Sequence, residues 1–148
     1  MEIAGDHHFK APRDLVYRMM LDPVVLQGAM PGCESFNETG PESYDLTIKV
    51  GIAAIKGTYS GNVKVQDRKE GESYRLVVGG SGKPGSVQGN AVMTLSDEPG
   101  GTFVRYTGEV KAQGAIARLG SRLLGGAAKL MIGQFMKGME KQIEANTA

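Results

Sequence analysis

The sequence predicts an α+β fold: a curved antiparallel sheet of six to seven strands wrapped around one long C-terminal helix, with two short helices after the first strand. Three observations carry this. From about residue 34 to residue 112, apolar and polar residues alternate with period two, the pattern of strands with one face covered and one wet, which is the habit of antiparallel sheets. From Gly114 to about Ala145 the period becomes helical. Ala128, Met131, Ile132, Phe135, Met139 and Ile143 recur at three- and four-residue spacing, while Lys129, Lys137, Glu140, Lys141 and Glu144 fall largely on the opposite face. A sheet with one apolar face needs a cover, and only this helix is long enough to supply it. Third, glycine makes up 22 of 148 residues, about twice its usual share of ~7%. The glycines are aperiodic and many lie inside strands, where a strongly curved sheet would use them.

Each element follows in order. Ile3, Gly5, His7 and Phe9 alternate with Glu2, Asp6, His8 and Lys10, which predicts a half-buried first strand. Pro12 opens a short helix carrying Leu15, Val16, Met19 and Met20, since proline suits a first helical turn. Asp22 and Pro23, a capping residue and a first-turn proline, start a second that ends near Leu26 or Gln27. After a turn at Gly28–Cys33, strands are expected at Glu34–Glu38, at Tyr44–Ile52 and at Ala53–Gln66. A further strand holds Tyr74, Leu76 and Val78 and dissolves into a loop over Gly79–Gly85. Val87, Ala91, Met93 and Leu95 mark the next, and Val104, Tyr106, Gly108, Val110 and Ala112 the last. The expected organisation is one domain over residues 1–148, because a chain of this length supports one core comfortably and two poorly.

Composition excludes several classes. An apolar content of 41% and a charged content of 22% are ordinary for a globular protein. A net charge of +1 gives no footprint for nucleic acid. The lone Cys33 cannot form an internal disulfide, which fits a reducing cytoplasm. Residues Met1–Asp6 lack the basic and apolar regions of a signal peptide, and no stretch has the length and apolarity of a membrane span. A soluble cytoplasmic protein is expected, at most peripheral at the inner face of the membrane.

No catalytic or metal-binding constellation emerges. His7 and His8 are adjacent on a strand and point to opposite faces. His-x-x-x-His, Cys-x-x-Cys and Gly-x-Ser-x-Gly are all missing. Gly80-Ser81-Gly82-Lys83 lacks the spacing of a phosphate-binding loop, and nothing near Cys33 in sequence argues for a lowered thiol pKa. What stands out is soft apolar surface. Met19, Met20, Met30, Met131, Met136 and Met139 cluster on the small helices and the long one, and methionine adapts to irregular apolar shapes. Gly57, Gly61, Gly89 and Gly108 remove side chains from the apolar strand faces, leaving room for a ligand.

Several stretches also resemble a known family. They are Ala11-Pro12-Arg13-Asp14-Leu15-Val16-Tyr17, the turn Met30-Pro31-Gly32-Cys33-Glu34, and the run from Tyr44 through Gly51-Ile52-Ala53-Ala54-Ile55-Lys56-Gly57-Thr58-Tyr59-Ser60-Gly61. The order of elements resembles the helix-grip fold of the START and pollen-allergen-like (SRPBCC) superfamily, whose members enclose apolar molecules. More narrowly, the chain resembles the CoxG family, named for the G subunit of carbon monoxide dehydrogenase. That resemblance implies a non-catalytic accessory partner of a molybdenum hydroxylase, carrying a quinone or recruiting the enzyme to the membrane. Some members extend into a membrane-anchoring segment, whereas this sequence ends at Ala148, so a soluble carrier or adaptor is expected.

The leading expectation is therefore a binding module for an apolar small molecule, an isoprenoid quinone or a lipid, with no covalent cofactor and no metal. Met30, Tyr59, Met131 and Phe135 are the expected lining residues, with the Tyr59 hydroxyl free to bond a ligand carbonyl. A cyclase or hydratase using His7 and Tyr106 is the alternative, and an adaptor with a collapsed cavity is the third reading. Gly125-Gly126 is expected to break the last helix, freeing Ala115–Leu124 to gate the cavity.

Overall fold

A computed structural model describes residues 1–147; the expected domain limit at Ala148 lies one residue outside them. The elements are β1 (Glu2–Phe9), α1 (Arg13–Met20), α2 (Pro23–Ala29), β2 (Cys33–Gly40), β3 (Ser43–Val50), β4 (Gly57–Lys69), β5 (Ser73–Gly82), β6 (Gly85–Glu98), β7 (Gly101–Gln113) and α3 (Gly120–Thr147). All seven strands join one antiparallel sheet in the order β1-β7-β6-β5-β4-β3-β2. Strands β2 to β7 form a meander, each pairing with the next. The excursion through α1 and α2 carries the chain from β1, at one edge, to β2 at the other.

Register places the alternating residues in rows across the inner face. One row reads Leu46, Gly61, Gly80, Val87, Ala112, and the next Tyr44, Val63, Val78, Gly89, Val110. A third, further along the strands, reads Tyr74, Met93, Tyr106, Gly5. The first row is thinned at its centre by Gly61 and Gly80; the third carries three large side chains, Tyr74, Met93 and Tyr106. This contrast sets up two cores. The larger gathers Phe9, Val16, Tyr17, Met20, Tyr74, Met93, Val104, Met136, Met139 and Ile143 where α1, α2 and the end of α3 meet the sheet. The smaller gathers Val50, Ile55, Tyr59 and Ile116 at the opposite end, under the start of α3.

Local chemistry positions the helices as expected. Asp22 caps α2 by accepting a hydrogen bond from the Val24 amide at 2.9 Å, and Pro23 fills the first turn. Gly138 lets α3 touch α2: a Cβ there would lie 2.2 Å from the Ala29 carbonyl oxygen.

Three expectations are corrected. Gly79–Gly82 is strand, not loop: Gly79, Gly80 and Ser81 pair with Gln88, Val87 and Ser86, and the turn is confined to Lys83-Pro84. The chain between Val50 and Gly57 leaves the sheet in a 3-10 turn at Ala53–Ile55, so β3 and β4 are not continuous with it. The last helix is unbroken at Gly125-Gly126. Its break lies at Gly120, whose φ of 84° and ψ of 157° suit only glycine, and which separates α3 from a 3-10 turn at Ala115–Leu119.

Candidate ligand cavity

Between the two cores the sheet and α3 do not meet. They enclose a cavity of about 440 Å³, within the ~300–1,000 Å³ typical of small-molecule sites. The sheet supplies the floor through the first two rows, with Leu46, Val63, Val78 and Val87 standing beside Gly61, Gly80 and Gly89. The roof is α3 through Leu124, Ala127, Met131, Ile132 and Phe135, and one end is closed by Met20, Leu26 and Met30. Val78 shows why the space is real. It sits mid-sheet on the inner face, yet 36% of its surface is accessible, because it faces the void rather than a packed neighbour.

The strand glycines make this floor for different reasons. A Cβ on Gly61 would fall 2.9 Å from the Gly79 carbonyl oxygen, so tight strand geometry keeps that position bare. At Gly80 the nearest atom would be 3.7 Å away, an ordinary contact, so nothing in the backbone demands glycine there. Gly57 and Gly108, expected to open the cavity, are not among its lining residues. Gly108 instead allows the close approach of β6, since a Cβ would lie 2.0 Å from the Asn90 carbonyl oxygen.

The four residues singled out from the sequence, Met30, Tyr59, Met131 and Phe135, all line the cavity. The expected role of the Tyr59 hydroxyl changes, however. It donates to the Ile55 carbonyl at 2.6 Å and so ties β4 to the 3-10 turn before it. Its proton is committed within the chain, and burial pushes its pKa up. Two further tyrosines, Tyr44 and Tyr74, also reach the cavity. Both are legible in the sequence as inward residues of their alternating strands; what their hydroxyls do is not.

The pair on which an enzyme would rest lies elsewhere. His7 contacts Glu140 through Nε2 at 3.1 Å, and its ring packs on Phe9 with centroids 4.8 Å apart. The Tyr106 hydroxyl lies over Gly5, where a Cβ would be only 2.3 Å from it. Neither lines the cavity. Cys33 donates to the Ser35 carbonyl at 3.3 Å, and burial pushes its thiol up, away from reactivity. Among the described residues no group of three His, Cys, Asp or Glu side chains is placed to hold a metal ion.

Outside the cavity, beside its α3 end, a shallow depression is lined by Ile52, Ala54, Leu119, Leu123 and Leu130. Leu123 and Leu130 are 48% and 51% exposed. Arg122 lines the depression too, and the charge along this part of the chain is one-signed. Lys111, Arg118, Arg122, Lys129 and Lys137 are all exposed, and no Asp or Glu occurs between Val110 and Met139. No described helix is long and apolar enough to cross a membrane.

A curved sheet gripping a helix over an apolar hollow defines the class: a helix-grip protein of the START and Bet v 1-like kind. The backbone matches the crystal structure of a conserved protein from Geobacillus kaustophilus with a TM-score of 0.94 at 34% identity, covering 98% of this chain and 96% of that one. A protein from Thermus thermophilus matches at 0.76 and 18% identity over the full length of both chains (100% of each). Ara h 8.0201 matches at 0.71 and 14% identity over 98% of each. The sequence pattern of the CoxG family, that of the G subunit of carbon monoxide dehydrogenase, matches residues 5–144, and the chain belongs to that family. Comparison with curated proteins gave no match.

Proposed function

We propose that this chain is a non-catalytic accessory protein that holds one apolar molecule, an isoprenoid quinone or a lipid, between its sheet and α3. In this reading it serves a molybdenum hydroxylase of the carbon monoxide dehydrogenase type, in electron transfer or membrane recruitment, and works in the cytoplasm at the inner face of the membrane. The observation that carries the proposal is the cavity itself. About 440 Å³ is walled by apolar side chains from α1, α2, α3 and six strands, with no charged side chain among the described residues of the lining. Such a space favours a neutral apolar guest, because a charged one would lose its hydration without gaining a charged side chain as partner. The basic, leucine-bearing surface around Leu123 and Leu130 supports the peripheral part of the reading, since anionic lipid attracts such a surface and exposed leucines can enter it.

The test is chemical. Protein purified from its native host is extracted with organic solvent and the extract identified by mass spectrometry, then the emptied protein is titrated with quinones. A stoichiometric quinone or lipid is expected, together with co-purification of the hydroxylase subunits. An empty extract combined with no uptake of added quinone would refute the carrier reading.

A further inference from the structure

Where a cavity wall is apolar almost throughout, the few polar groups that reach it decide which guests it accepts. Asn62, Gln88 and Gln134 border the lining but are exposed to solvent. Among the described side chains of the lining, the inward polar groups are three tyrosine hydroxyls. That of Tyr59 is spent on Ile55. Tyr44 packs on Phe36, with centroids 5.3 Å apart, in the partly exposed part of the lining.

Tyr74 differs from both. It lines the cavity yet is only 2% exposed. Its ring is held edge-on by Tyr17, with centroids 5.7 Å apart and planes at 83°, and Met93 faces it across the strand pair. Tyr17 is itself fixed by donating to the Ser73 carbonyl at 3.0 Å. The Tyr74 hydroxyl makes no hydrogen bond to any described residue. Every fully enclosed side-chain oxygen or nitrogen among those residues does have a partner. An oxygen that is unpartnered and yet not fully enclosed, on a ring this buried, opens onto the space that the ring lines. A donor left so in apolar surroundings is unfavourable, and a guest that brings an acceptor relieves it.

We infer that Tyr74 is the polar anchor of the cavity, donating a hydrogen bond to a carbonyl oxygen on an otherwise apolar, neutral guest. The inference rests on the carrier reading and narrows it to ketones, quinones and esters over plain hydrocarbons. Burial raises the phenol pKa well above its usual 10, so the group remains a donor throughout the physiological range.

The test compares wild type and Tyr74→Phe with two probes of like shape, 2-methyl-1,4-naphthoquinone and 2-methylnaphthalene, by calorimetry and by thermal unfolding without ligand. The expected result is about a tenfold loss of affinity for the quinone in the variant, unchanged affinity for the hydrocarbon, and a melting temperature at or above that of wild type. Quinone binding of equal strength in both proteins would overturn the anchor and leave the carrier reading standing. So would equal weakening of both probes, which would reveal altered packing. A clear drop in melting temperature would show that the hydroxyl serves the fold instead. If wild type binds neither probe, the carrier reading fails and takes the anchor with it.

Discussion

Replacing Gly80 with leucine separates a functional hollow from an incidental one. Gly80 lies on the cavity floor between Gly61 and Val87. A Cβ there would have its nearest neighbour at 3.7 Å, so the substitution starts without a clash. A leucine side chain then projects into roughly 440 Å³ of empty space. Burying it contributes about 1.5–3 kcal/mol, and removing a strand glycine roughly 0.5–1 kcal/mol more. Imperfect fit and lost rotamer freedom offset part of this by about 1–2 kcal/mol. The net expectation is a gain of roughly 1–2 kcal/mol, or a melting temperature higher by about 2–8 °C for a chain of this size. Ligand response moves the other way. A guest present at a hundred times its Kd stabilises wild type by about 2.7 kcal/mol, and that increment should largely vanish in Gly80→Leu. The assay is thermal unfolding of both proteins with and without a saturating naphthoquinone. A variant less stable than wild type, or one that keeps the full ligand-induced shift, would show that the hollow at Gly80 is not the guest site.

Three other outcomes follow from the same geometry. Gly133 meets nothing within 4 Å, so Gly133→Ala should stabilise by about 0.5–1 kcal/mol, whereas Gly138→Ala, which drives a methyl into Ala29, should destabilise by about 1–3 kcal/mol in urea titrations. Tyr74 keeps its proton more tightly folded than unfolded, so its contribution is intact below pH 10 and is lost as pH rises beyond it. Wild type should therefore lose up to about 1.4 kcal/mol per pH unit more than Tyr74→Phe above pH 10, read from urea midpoints. Charge reversal at Arg118, Arg122 and Lys129 should weaken sedimentation with phosphatidylserine vesicles by about 1 kcal/mol per residue, and wild-type binding should fall with added salt; unchanged sedimentation would remove this surface from the account.

Much of the architecture is written in periodicity. The alternation of Tyr44 to Val50 and of Phe103 to Ala112 reports both the strands and their inner faces, because a sheet with one wet side cannot hide its pattern. The inner face of α3 is legible for the same reason. What misleads are positions where glycine carries two meanings. Gly79-Gly80 looks like a loop in one dimension, since only the pairing with Gln88 and Val87 shows that it is strand. Gly125-Gly126 looks like a break, but the helix tolerates both residues, and the backbone turns at Gly120, where φ is positive. Within the cavity, Met30, Tyr59, Met131 and Phe135 are legible as large residues on converging faces. The distinction between the Tyr59 and Tyr74 hydroxyls is not, because a hydrogen bond to a backbone carbonyl four residues back, or the lack of any bond, is a property of coordinates.

A guest in the space between sheet and α3 would be reported by the methionines. Met1, Met20, Met30, Met93 and Met131 line that space, while Met19, Met136 and Met139 do not. With methyl-labelled methionine, titrating 2-methyl-1,4-naphthoquinone should shift the first group strongly and leave Met136 and Met139, buried in the larger core, nearly unmoved. Saturable shifts confined to the lining methionines are expected; an unchanged spectrum, or shifts centred on Met136 and Met139, would mean that no guest sits between sheet and α3.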